Sequence, residues 1–116
     1  MEKTTITKRN IADDVIALCP GKTLDNSNAH DMVDAIVRAE QSGYRFIVVD
    51  MAGLEFLSSA GVGSILSTVE LLREKGGDIV LCNVPTSVFH VLEVLDLSEY
   101  LTIRTTEEDA VAACNG

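Results

Sequence analysis

Two adjacent serines at the threshold of a helix are the residues of this chain best placed to do chemistry. Ser58 and Ser59 end the stretch Asp50-Met51-Ala52-Gly53-Leu54-Glu55-Phe56-Leu57 and stand before Ala60-Gly61-Val62-Gly63, where a helical pattern begins. A hydroxyl at that point can cap the helix, which is worth about 1 kcal/mol. It can also help unpaired helix N–H groups hold the phosphate of a ligand. A nucleophilic serine on a strand-turn-helix would instead need Gly-x-Ser-x-Gly. The leading position around Ser59 is Leu57, so the hydrolase-elbow motif fails. No Gly-Lys-[Ser/Thr] follows a glycine at the offset of a phosphate-cradling loop. Gly61 and Gly63 each cost a helix roughly 1 kcal/mol against Ala, which points to close helix-to-sheet approach or a smooth, small face.

Other reactive side chains carry weaker signals. Cys19 and Cys82 fall inside apolar strand-like runs and read as small buried hydrophobes in a reducing compartment. Cys114, near the C-terminus, could be exposed, and nothing marks it as reactive. His30 is expected to face solvent from a helix, and His90 lies beside an apolar stripe. Neither has a second His or a Cys at ligand spacing, so no metal or other cofactor is expected.

The elements that must position the serines follow from periodicity. Residues 4–8 alternate weakly and suggest an edge strand, followed by a polar turn at 10–14. Val15-Ile16-Ala17-Leu18-Cys19 reads as a buried strand ended by Pro20-Gly21. Ala29, Met32, Val33, Ile36 and Val37 form one helical stripe, with cap candidates at Asp25, Asn26 and Ser27 and a terminator at Gly43. Tyr44 to Val49 lacks alternation, as a central strand covered on both faces would. Val62, Ile65, Leu66, Val69 and Leu72 stripe the helix after the serines, which Gly76-Gly77 stops. Then follow a strand from Asp78 to Cys82, a helix with Val88, Val91, Leu92 and Leu95, and a strand from Tyr100 to Arg104. A last short helix has Thr105 and Glu108 as a capping box. The order β-β-α-β-α-β-α-β-α predicts an α/β fold: a mixed, mostly parallel sheet of about five strands with about four helices. Sites in such sheets form at the carboxyl ends of strands, which is where the serine loop falls.

Bulk properties bound the partners. The 116 residues suit one domain spanning 1–116, and 47 % apolar content is ordinary for a globular chain. A net charge of -9, with no basic cluster, argues against nucleic acid and against an anionic membrane surface. It favours protein partners with a basic or apolar patch. The N-terminus has no apolar core of signal-peptide length and no run approaches a membrane span, so a cytoplasmic protein is expected.

The stretch Val49-Asp50-Met51-Ala52-Gly53-Leu54-Glu55-Phe56-Leu57-Ser58-Ser59-Ala60-Gly61-Val62-Gly63 resembles the signature of STAS domains, a family that includes the bacterial anti-sigma factor antagonists. Gly21-Lys22-Thr23-Leu24-Asp25 with Asn28-Ala29 is similar to the family's motif between second strand and first helix, and Thr105 to Ala110 is a third, weaker match. The resemblance implies a binding switch, not an enzyme. It implies an anti-sigma factor that is itself a serine kinase as partner, a serine phosphatase, and partner switching that regulates sigma-factor-dependent transcription. Ser59 matches the phosphate acceptor. Ser58 stands where the best-known antagonists usually have Asp, and Ala60 where Ser is often found, which leaves Ser58 as a competing acceptor. The implied partner rim is Leu24, Asp25, Asn26, Ser58 and the exposed side of Gly61, with Asp50 fixing the loop's backbone. STAS-like domains also occur as sensors of nucleotides or other small ligands and as accessory subunits of lipid transport complexes, so those readings stand beside the switch.

Overall fold

A computed structural model describes residues 6–115. The three central strands are continuous apolar runs because both of their faces are covered. Strand β1 (Thr7–Ala12) pairs antiparallel with β2 (Val15–Cys19). Strands β4 (Phe46–Asp50), β6 (Asp78–Cys82) and β7 (Thr102–Arg104) then add in parallel, giving the five-stranded order β1-β2-β4-β6-β7. This is the mixed, mostly parallel sheet that the alternation predicts. Helices α1 (Ala29–Gln41), α2 (Ser59–Arg73) and α3 (Thr86–Val94) enclose one face. Their Met32, Ile36, Ile65, Val69 and Leu92 meet Ile16, Leu18, Ile47, Val49, Ile79 and Leu81. Helix α4 (Glu107–Asn115) covers the other face, where Ala110 and Cys114 lie over Val15, Ala17, Val48, Val80 and Cys82. No helix among the described residues is long and apolar enough to cross a membrane.

Several boundaries move, each for a physical reason. The first strand runs from Thr7 to Ala12, so its turn shrinks to Asp13 and Asp14; Thr4 and Thr5 lie outside the described residues. Its residues face water almost throughout, and main-chain pairing with β2 needs no apolar alternation on an edge. Helix α4 is capped one residue later than the Thr105–Glu108 box implies: the Thr106 hydroxyl accepts from the Asp109 N–H at 3.1 Å. The Thr105 carbonyl is already engaged by the Asn83 N–H at 3.1 Å, as part of the strand exit. Arg9 on β1 holds Glu107 with two hydrogen bonds of 2.8 and 2.6 Å, which straps α4 to the sheet edge and keeps the Glu107 carboxyl below its ordinary range. Cys114 is buried, 7 % exposed, and burial pushes its thiol up to about 11. Burial likewise pushes Cys82 up to about 12, so neither thiol is primed as a nucleophile.

Two further strands, β3 (Thr23–Leu24) and β5 (Phe56–Leu57), make a separate parallel pair. Two residues carry no periodicity, so nothing in the local pattern announces them. They decide where the serines sit.

Candidate functional site

The serine loop is built outward from the end of β4. The Asp50 carboxylate accepts from the Ala52 N–H at 3.0 Å and from the Asn83 side-chain amide at 3.1 Å. The Met51 N–H donates to the Cys82 carbonyl at 3.0 Å, and Met51 and Leu54 bury their side chains beneath the loop. Gly53 turns the chain at φ 83, a conformation that L side chains rarely adopt. Asp50 therefore ties the loop's backbone to the side chain of Asn83. Its brace Asn83 was not anticipated; it holds φ 53, where Asn is among the few tolerated non-glycine residues.

The β3–β5 pair carries the chain from there to the helix. Glu55 and Phe56 both donate their N–H groups to the Lys22 carbonyl, at 2.6 and 3.2 Å, and the Ser58 N–H donates to the Leu24 carbonyl at 3.0 Å. The Gly21–Asp25 segment and the serine loop thus meet, as the carboxyl-end rule requires. They meet along a seam, however, and that corrects part of the expected rim. Leu24 is wholly buried in the main core. Gly61 is buried too: a Cβ built on it would stand 2.2 Å from the Leu24 carbonyl oxygen. Leu24 and Gly61 form the seam and present no side chain to a partner. Gly63 differs, since it is exposed with nothing within 4 Å of a built Cβ.

Asp25 and Asn26 stay at the surface, half-buried and exposed respectively. The Asp25 carboxylate accepts from the hydroxyl and the N–H of Ser27, at 2.6 and 2.9 Å, which holds its pKa below the usual range. It shapes the turn before α1 and does not cap the helix itself. Asn28, unrecognised as a structural residue, is 3 % exposed. Its side chain takes the Asp25 N–H at 3.0 Å and donates to the Thr23 carbonyl at 2.9 Å, pinning the turn to β3.

The two serines have different surroundings. Ser58 is the N-cap of α2: half-buried, its hydroxyl oxygen accepts the Gly61 N–H at 3.2 Å. Ser59 is the first residue of the helix, exposed to solvent. The first turn of α2 contains no acidic side chain, so the positive end of the helix dipole is not offset locally. Ser58→Ala should lower stability by about 1 kcal/mol, a fall of about 4–8 °C in thermal midpoint. Ser58→Asp should hold the midpoint, since Asp caps as well as Ser. An Ala variant melting with the wild type would show that the cap bond contributes nothing in solution.

Next to Ser59 the surface dips into an apolar groove of about 300 Å³ between the start of α2 and the outer side of α3. His90, expected beside the stripe of α3, lies on its wall and is exposed, 4.0 Å from Glu93. His30 faces solvent near Asp34, at 3.6 Å.

Comparison with known proteins bears on the whole arrangement. The family model that matches is that of the STAS domain, over residues 7–110. BtrV of Bordetella bronchiseptica, named as an anti-sigma factor antagonist, is 30 % identical over 104 residues, 87 % of each chain. A crystal structure from Thermotoga maritima, also of a protein named as an anti-sigma factor antagonist, superposes with a TM-score of 0.87 at 25 % identity, covering 96 % of this chain and 95 % of that one. The unphosphorylated form of the anti-sigma factor antagonist SpoIIAA shares the fold at a TM-score of 0.83 and 22 % identity, over 96 % of both chains.

Proposed function

The chain belongs to the STAS domain family, and from that premise we propose that it is an anti-sigma factor antagonist, a cytoplasmic binding protein whose contact with its partner is switched at Ser59. Unmodified, it binds an anti-sigma factor that is also a serine kinase and so frees the sigma factor. With phosphate on Ser59 it lets go, until a serine phosphatase resets it.

The observation that carries this reading is the division of labour between the two hydroxyls. Ser58 accepts the cap bond and is half-buried, whereas Ser59 is exposed on the first helical turn. A kinase reaching this loop meets the Ser59 hydroxyl first. The usual Asp before the acceptor is a strong N-cap residue, and Ser replaces it there at little cost. The substitution therefore keeps the geometry of the loop, and Ser59 is the acceptor in preference to Ser58. Asp25, Asn26 and Ser58 remain as the polar rim of the contact.

The deciding experiment is phosphosite mapping. The protein is incubated with ATP and each serine-kinase anti-sigma factor encoded in the same genome, then fragmented and sequenced by mass spectrometry. One phosphate on Ser59 is expected, and none in Ser59→Ala, which should stay folded and bind the kinase whether or not ATP is present. Absence of modification together with saturable nucleotide binding would overturn the switch in favour of a ligand sensor.

A further inference from the structure

We propose that a cavity of about 450 Å³ between the start of α3 and the end of β7 binds a small organic anion, a carboxylate or phosphate monoester with an apolar body. The cavity shares no lining residue with the groove beside Ser59, and its ligand need have no part in the switch there. Phe89 and Ile103, both half-buried, supply an apolar wall. Thr86, Ser98 and Thr105 bring hydroxyls to the same space, and Arg104 brings a guanidinium. Sites for small ligands have this make-up: a concavity of several hundred Å³, an apolar lining and a few converging polar groups.

Charge selects the ligand. The chain carries a net charge of -9, yet no Asp or Glu lines the cavity. Residues 79–92 and 100–106, which supply six of its seven lining residues, contain none. Asp96 and Glu99 flank Ser98 in sequence without lining the cavity, and Glu107, just beyond Thr105, is held by Arg9. Arg9, Arg45 and Arg73 each have a carboxylate partner, at 2.6, 3.9 and 2.9 Å. Arg104 has none among the described residues and donates to the Ile103 carbonyl at 3.0 Å. Arg38 has no ion pair among them either, but Asp31 and Asp34 line the groove it shares with Lys8. A guanidinium is a planar fork that suits a carboxylate or phosphate in two-point contact. Helix α3 starts at this cavity with no side-chain cap bond and no acidic residue in its first turn, so its dipole favours the same charge. Packing an apolar body on Phe89 and Ile103 adds what a bare inorganic ion cannot supply.

The test is an NMR titration of the isotope-labelled protein with benzoate, phenyl phosphate, benzamide and inorganic phosphate. Benzoate or phenyl phosphate should give saturable shifts at the amides of Thr86, Phe89, Arg104 and Thr105, with a Kd on the order of a millimolar for probes of this size. Whichever of the two saturates names the acidic group. Arg104→Gln, at an exposed position, should weaken binding about tenfold or more while the spectrum away from the cavity stays that of the wild type. Arg104→Lys should recover only part of the loss, since it restores the charge without the fork. Benzamide, which keeps the ring without the charge, and inorganic phosphate, which keeps the charge without the ring, should each bind about tenfold or more weakly than their counterparts. No saturable shift at these four amides with either organic anion would overturn the site. So would unchanged affinity in Arg104→Gln, benzamide binding as tightly as benzoate, or inorganic phosphate binding as tightly as phenyl phosphate. Shifts confined to residues 57–62 would also overturn it, in favour of the start of α2.

Discussion

Phosphate on Ser59 should cut affinity for the kinase partner about a hundredfold while leaving the thermal midpoint unchanged or a few degrees higher. The two effects have separate causes. Within the folded chain, the dianion lies at the start of α2, whose first turn holds no acidic residue. The dipole there favours an anion by roughly 0.3–1 kcal/mol. Against a docked surface the same charge is desolvated, at a cost of about 2–5 kcal/mol for an uncompensated buried charge, with tenfold in affinity for each 1.4 kcal/mol. Residues 46–72 and 76–103, which supply the serine loop, α2 up to Leu72 and all of α3, contain neither Lys nor Arg to neutralise the phosphate. Ser59→Asp, with one charge in place of about 1.5 to 2, should lose nearer tenfold. Calorimetry and thermal melts on the phosphorylated and unphosphorylated protein check both halves. Equal affinity in the two forms would refute the switch, and a large drop in midpoint would show that phosphate unfolds its host.

Much of this surface could be read from residues alone, and the part that could not has one cause. Strand Val15–Cys19, and Asp78–Cys82 beyond its first residue, are buried on both faces, so each appears as a continuous apolar run with matching ends. Ser59 was visible because a hydroxyl before a helical stripe is a local pattern. Leu24 was misplaced because its neighbours Asp25 and Asn26 are polar, which makes the segment look like a rim. Its burial depends on pairing with residues 56 and 57, more than thirty positions away. The role of Asn83 was hidden for the same reason, since its partner Asp50 is 33 positions away; Asn28 bonds locally to Thr23 and Asp25, but in a turn that has no periodicity to mark it. The stripe of α3 shows the converse limit. Val88, Val91, Leu92 and Leu95 have core-like spacing, yet only Val88 and Leu92 are buried. Periodicity reports that a helix has an apolar face and is silent on whether the chain itself or another molecule covers it.

Gly61 and Gly63 share a helix and a residue type, and their alanine variants should move stability in opposite directions. Neither has a positive φ, so the contrast is one of space alone. A methyl group on Gly61 would stand 2.2 Å from the Leu24 carbonyl oxygen and 2.8 Å from its carbonyl carbon. Those are backbone atoms of β3, and the same oxygen accepts the Ser58 N–H, so they cannot swing aside as a side-chain tip would. Either β3 parts from β5 or α2 lifts from the seam. Overpacking commonly costs about 1–3 kcal/mol, and with backbone on both sides Gly61→Ala should reach about 3 kcal/mol or more, lowering the midpoint by about 10 °C or more. Gly63 has nothing within 4 Å of a built Cβ and sits in the helix interior, so Gly63→Ala should gain about 0.5–1 kcal/mol from a stiffer unfolded chain and better helix propensity. Chemical denaturation of the two variants beside the wild type measures both. If Gly61→Ala lost no more than a few tenths of a kcal/mol, the seam would be loose in solution and Ser59 would not be held where partner docking requires it. If Gly61→Ala instead lost binding and stability together while Gly63→Ala kept both, the contact that positions Ser59 would be the close approach of α2 to β3.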